Sequence, residues 1–77
     1  MTITESEAII RANIAEQIKD NLELCELSRR QAEEAIECGD EQVGKWIRGV
    51  YLPSLSAAFA LSRTLGVTLD RLCTGED

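Results

Sequence analysis

Ile10, Ile14, Ile18 and Leu22 stand four residues apart within a stretch of charged neighbours. A four-residue repeat returns to nearly the same side of an α-helix, so these side chains form one apolar stripe. Glu7, Arg11, Glu16, Lys19, Asp20 and Glu23 fall largely to either side of it. A helix with one apolar stripe has to bury that stripe, and the segments that follow must supply the opposite wall. At 77 residues a chain buries only about 60% of its unfolded surface, enough for one core but not two. One domain over residues 1–77 is therefore expected, with its core at about 5–73 and a frayed polar tail at 74–77.

The punctuation divides the chain into short helices. Thr4 and Glu7 fit a capping box, which predicts a first helix from near Glu5 to about Glu23. Ser28 and Gln31 make a second box, which opens a helix from Arg29 to Glu37 with Ala32, Ala35 and Ile36 on one face. After Gly39, Asp40 and Glu41 are acidic first-turn residues of a third helix, where carboxylates favour the positive end of the helix dipole. Val43, Trp46 and Ile47 turn that helix inward. Glu41, Gln42, Gly44, Lys45 and Arg48 are left nearer the outside, and the helix ends at Gly49. Pro53 precedes Ser54, an N-cap for a fourth helix that places Leu55, Ala58, Phe59, Ser62 and Leu65 on one stripe before Gly66 closes it. Thr68 caps a last turn carrying Leu69 and Leu72. One proline and no run of alternating β-branched residues complete an all-α pattern of five helices.

A hydrophobic content of 44% with 29% charged residues lies in the globular range. No apolar run approaches the ~18 to 20 residues of a membrane span, and the N-terminus lacks the basic start and apolar run of a signal peptide. A cytoplasmic protein away from membranes is expected. Cys25, Cys38 and Cys73 are an odd count at wide spacing, and the chain has no histidine. They read as reduced, half-buried thiols, with no metal site and no cofactor. No serine or cysteine has a base partner in sight, so catalysis is not expected.

With 8 basic against 14 acidic residues the net charge is −6, which repels polyanions at long range. The charge is uneven. Residues 1–27 hold 2 basic and 6 acidic side chains, 28–51 hold 4 and 5, and 52–77 hold 2 and 3. Half of the basic residues, Arg29, Arg30, Lys45 and Arg48, thus sit where two short helices meet at a turn.

"LSRRQAEEAI", "GDEQVGKWIRG", "YLPSL" and "LSRTLGVTLDRLCTGED" together resemble the Cro/C1-type (XRE-like) helix-turn-helix family of phage repressors and bacterial regulators. The resemblance covers about residues 10 to 74. Arg48, Gly49, Pro53, Ser54, Leu55, Leu61, Ser62, Leu65, Gly66, Val67 and Leu69 match the family pattern in register. It implies a compact five-helix, lambda-repressor-like domain whose second helix of the pair enters the DNA major groove. Two positions depart from the pattern. Glu33 stands where the family usually has a small alanine between the two helices, and Glu37 where the turn usually has glycine. Gly39, two places on, could shift or lengthen that turn.

Carried across by position, the resemblance places Asp40, Glu41, Gln42 and Lys45 at base edges and Arg29 at a phosphate. Gln42 suits adenine, Lys45 guanine, and a carboxylate the amino group of cytosine. Arg30, Arg48 and Tyr51 are further phosphate candidates. Each has a plainer reading: Arg29 with Glu33 and Arg30 with Glu34 as i,i+4 pairs, Arg48 at a helix end, Tyr51 packed on the core. Trp46 reads as core rather than as a base-stacking platform. The implied function is a repressor-like regulator that binds double-stranded DNA as a homodimer. The contact surface of that dimer is open between helix one's acidic face and Val67, Leu69 and Leu72. The competing reading is an acidic module that binds another regulator or a toxin, supported by the −6 charge and the two departures.

Overall fold

The computed structural model describes residues 1–76. Five helices follow in order: α1 (Ile3–Leu24), α2 (Arg29–Ile36), α3 (Gln42–Ile47), α4 (Leu55–Leu65) and α5 (Leu69–Thr74), with no strand among the described residues. The all-α expectation holds. Helix α1 lies along α5 and α3, α2 packs on α3 and α4, and α4 meets α5. Ile14, Ile18 and Leu22 of the opening stripe are buried, and Ile10 packs on their edge. Val43, Trp46, Leu61, Leu65 and Leu72 close the core around them.

Helix α1 begins earlier than the Thr4 box predicts. The sequence contains two overlapping boxes, and the upstream one forms: Glu5 N–H donates to the Thr2 hydroxyl and Thr2 N–H to the Glu5 carboxylate. The earlier start makes the amide of Ser6 a donor to the Thr2 carbonyl, so the helix gains length without losing a cap. The Ser28–Gln31 box forms as expected. In α2, Ala32 is fully buried but Ala35 is exposed, because the partner helices cover only the Ala32 and Ile36 side.

The fourth helix has its expected ends, Ser54 and Gly66, and buries Ala58, Ser62 and Leu65 of the expected stripe, but with Leu61 in place of Leu55 and Phe59. Ala58, Leu61, Ser62 and Leu65 point inward, while Leu55 is 76% and Phe59 57% exposed. Spacings of three and four are satisfied by both sets, and the core takes the one containing Leu61. Helix α5 includes Thr74, which the sequence placed in the tail. Its hydroxyl donates to the Asp70 carbonyl, and Gly75 N–H donates to the Arg71 carbonyl. Residue 77 of that tail lies outside the described residues. Cys38 and Cys73 are half-buried and Cys25 is exposed, so the third thiol departs from expectation.

Three helix ends are closed by the same backbone device. The amide two or three residues past the end reaches five residues back to a carbonyl in the last turn: Leu27 to Leu22, Cys38 to Glu33, and Val67 to Ser62. The device needs a left-handed residue, supplied by Glu26 (φ 55), Glu37 (φ 56) and Gly66 (φ 72). Only the glycine takes this conformation without a Cβ clash. We therefore expect Glu37→Gly to stabilise the fold by about 1 kcal/mol, a rise of about 4–8 °C in melting temperature for a domain of this size. A thermal melt checks it, and a lower midpoint would show that Glu37 makes a contact that outweighs its strained backbone.

Candidate nucleic-acid interface

The turn between α2 and α3 is built without a shift onto Gly39. Glu37 itself adopts the left-handed conformation expected of the glycine it replaces, and Gly39 has no positive φ. Asp40 and Glu41 precede α3 instead of forming its first turn; Glu41 is left-handed (φ 64) and its side chain makes no capping bond. Their charges still lie close to the amino end of the helix, which favours carboxylates.

An open cleft of about 550 Å³ separates the two helices, lined by Ser28, Arg29, Arg30, Glu33, Asp40, Glu41, Gly44 and Arg48. Five of the eight candidate residues are thus brought together: Arg29, Arg30, Arg48, Asp40 and Glu41. Gly44, expected on the outside, is buried. A Cβ there would lie 3.4 Å from Nη1 of Arg29 and 3.8 Å from Nη1 of Arg48. The two guanidinium groups therefore converge over one bare patch of α3 backbone. Both side chains are exposed, and neither has an ion-pair partner among the described residues.

Of the two expected i,i+4 pairs, only Arg30–Glu34 forms, at 3.5 Å and on the surface. An exposed pair of this kind contributes little, about 0–1 kcal/mol, and leaves Arg30 free to exchange partners. Arg29 does not pair with Glu33, because the Glu33 carboxylate is turned under the helix pair, 8% exposed. Its Oε2 accepts from the backbone N–H of Val43 at 3.0 Å. At the start of α2 the capping box uses the amides of Ser28 and Gln31. The amides of Arg29 and Arg30 lie in the first turn, where no intrahelical acceptor exists, beside their own side chains.

Gln42, Lys45 and Tyr51 lie outside the cleft lining. Gln42 is half-buried, with its side chain against Gly39. Lys45 is half-buried and its Nζ stands 5.9 Å from the centre of the Tyr51 ring, a cation–π contact at the long end of the range. Tyr51 is 59% exposed, so it does not pack on the core. Trp46, at 5% exposed, does, and cannot offer a face to a base. The field of the turn is felt at Cys38. Burial pushes its thiol above the ordinary range, and the Glu33 and Asp40 carboxylates add to the rise. Burial also raises Cys73, with Asp70 adding to it. Raised thiols stay protonated at neutral pH and make poor nucleophiles and metal ligands.

Two residues escape a reading of the sequence. Nothing local marks Gly44 as the floor between two arginines. Glu33 carries one usable signal: the position before Gln42 holds neither Ser, Thr, Asp nor Asn, so the cap of α3 has to come from elsewhere.

A helix-turn-helix family model matches residues 18–72, a span that includes α2, the turn, α3, α4 and most of α5. The matched family is one of DNA-binding regulators rather than enzymes. No curated protein and no solved structure matches the chain. No helix among the described residues is long and apolar enough to cross a membrane.

Proposed function

The chain belongs to the Cro/C1-type helix-turn-helix family of DNA-binding transcription regulators, and from that premise we propose that it is a repressor-like, sequence-specific regulator reading the major groove with α3. The observation that carries this reading is the convergence of the Arg29 and Arg48 guanidinium groups over buried Gly44. Two forks without carboxylate partners, beside the first-turn amides of α2, suit phosphate oxygens on a strand that crosses the cleft. Arg30 and Tyr51 flank that path as secondary phosphate contacts. Gln42 and Lys45 take adenine and guanine edges, and Asp40 and Glu41 accept from cytosine amino groups. The two acids also serve discrimination: a carboxylate with no base amino group to accept from is repelled, which lowers affinity for wrong sequences more than for the right one.

A single six-residue helix reads few base pairs, and a twofold doubles the number, with recognition helices about 34–36 Å apart on successive turns of the groove. The apolar residues first considered for the dimer contact do not support it. Leu72 is fully buried, and Val67 and Leu69 pack against the core. Exposed Leu55 and Phe59, one turn apart on α4, together with Val50 in the loop after α3, support a contact on that side instead. The acidic outer face of α1 favours a second reading, binding to a basic protein partner. The departures at Glu33 and Glu37 no longer add to it, since both residues are accommodated within an intact pair of helices.

Selection of duplexes from a randomised pool tests the proposal. The wild type is expected to enrich a motif with twofold symmetry, and Gln42→Ala to relax one position of each half-site at a cost of about 1–3 kcal/mol per contact. A pool that stays random after selection would reject sequence-specific reading.

A further inference from the structure

Helix α3 begins without a cap from its own strand of chain. Helix amino ends leave amides with no intrahelical acceptor, and where such an end is buried those amides need partners. The residue before α3, Glu41, is left-handed and contributes no side-chain bond. Val43, the second residue of α3, is fully buried, and its N–H donates to Oε2 of Glu33 at 3.0 Å. Glu33 lies ten residues earlier, on α2, and is itself one of three buried polar residues among those described. A carboxylate withdrawn from water persists where hydrogen bonds replace its hydration. This one bonds across the turn, from a residue that lines the same cleft as Arg29, Arg30 and Arg48.

We propose that Glu33 is a positioning residue that caps α3 from α2 and fixes the angle between the two helices. An alanine at this position would leave α3 oriented by apolar packing alone. Apolar contacts resist separation but tolerate sliding and rotation, because they are not directional. The Glu33 bond, of ordinary length at 3.0 Å, is directional and is accepted by a carboxylate. It sets where α3 starts and how it is turned, and with that the direction in which Gln42 and Lys45 project. That final step rests on the DNA-binding reading; the cap itself does not.

The test compares wild type, Glu33→Ala and Glu33→Gln in the full chain, by amide hydrogen exchange and by affinity for a selected duplex. Glutamine retains a carbonyl acceptor at the same reach, whereas alanine retains none. Glu33→Ala is expected to speed exchange at Val43 about tenfold relative to Ile18 and Leu61, whose amides report global opening. Glu33→Gln is expected to return Val43 to within about threefold of wild type. Duplex affinity follows the same order, wild type above Gln above Ala. A common acceleration at Val43, Ile18 and Leu61, or no change at Val43, overturns the proposal. If Glu33→Ala does not fold, Glu33→Gln decides alone: the Val43 amide proton resonance moves upfield on losing its charged acceptor, and an unmoved resonance overturns the proposal. Selective exchange at Val43 in a protein that binds no duplex would leave the cap standing and reject the DNA-binding reading instead.

Discussion

Trp46→Ala is expected to cost about 3–5 kcal/mol of stability, the range for removing a buried tryptophan. The side chain is 5% exposed and shares the core with Ile14, Ile18, Val43 and Leu61. Domains hold roughly 0.05–0.15 kcal/mol per residue, so this loss is a large fraction of what a chain of this size possesses. At about 4–8 °C per kcal/mol the melting temperature should fall by at least about 12 °C, and part of the population should be unfolded at room temperature. Far-UV circular dichroism measures this without the lost fluorophore. A variant that melts within about 2 °C of wild type yet binds DNA poorly would return Trp46 to the base-stacking role rejected above.

The second large effect concerns recognition. Arg29→Glu combined with Arg48→Glu should weaken duplex binding by on the order of 100-fold or more, because each lost charge-assisted bond to phosphate is worth about 1.5–3 kcal/mol. Both guanidinium groups are exposed and have no partner within the described part of the molecule, so the melting temperature should change little. The salt dependence carries a second signature. Each phosphate contact adds about 0.9 to the slope of log affinity against log salt, so the double variant should be shallower by about 1.8. Full affinity in the double variant would mean that the cleft over Gly44 does not face DNA.

The parts of the fold that the sequence made plain are those governed by neighbouring residues. Ser28 with Gln31, Ser54 with Gly66, and Thr68 are caps whose partners lie within a few positions, and each forms as the spacing predicts. What stayed hidden depends on distant partners. Whether Leu61 or the Leu55–Phe59 pair joins Ala58, Ser62 and Leu65 on the inner face of α4 is set by the helices packed against it, and nothing within α4 decides it. Asp40 and Glu41 precede α3 instead of opening it, and the amide of Val43 is met by Glu33 ten residues upstream, a partner no local spacing reveals. Glu37, standing where the family usually has glycine, gives no local sign that it will adopt the left-handed conformation itself, held there by the Cys38 amide bonding back to the Glu33 carbonyl.

The candidate site was legible in similar proportion. Register with the family pattern points to Arg29, Asp40, Glu41, Gln42 and Lys45, and the folded chain gathers the first three along one cleft with Arg30 and Arg48, two further phosphate candidates. Gln42, Lys45 and the third further candidate, Tyr51, lie outside that lining. At about 100° per residue, Gln42 stands about 160° from Gly44 around α3, so it faces away from the cleft floor, whereas Lys45 lies only about 60° from Arg48, at the cleft's edge. In the DNA-binding mode proposed above, the arginine cleft meets the strand while Gln42 and Lys45 meet base edges, which divides positioning from reading.

The most direct measurement is a titration of labelled duplexes with the full chain at two salt concentrations, one duplex from upstream of its own gene and one of random sequence. The account predicts tight binding to the upstream duplex, weak binding to the random one, and a steep log-linear loss of affinity as salt rises. Absence of binding to both duplexes at the lower salt would contradict it, and would make the −6 charge and the acidic face of α1 the features to explain through a protein partner.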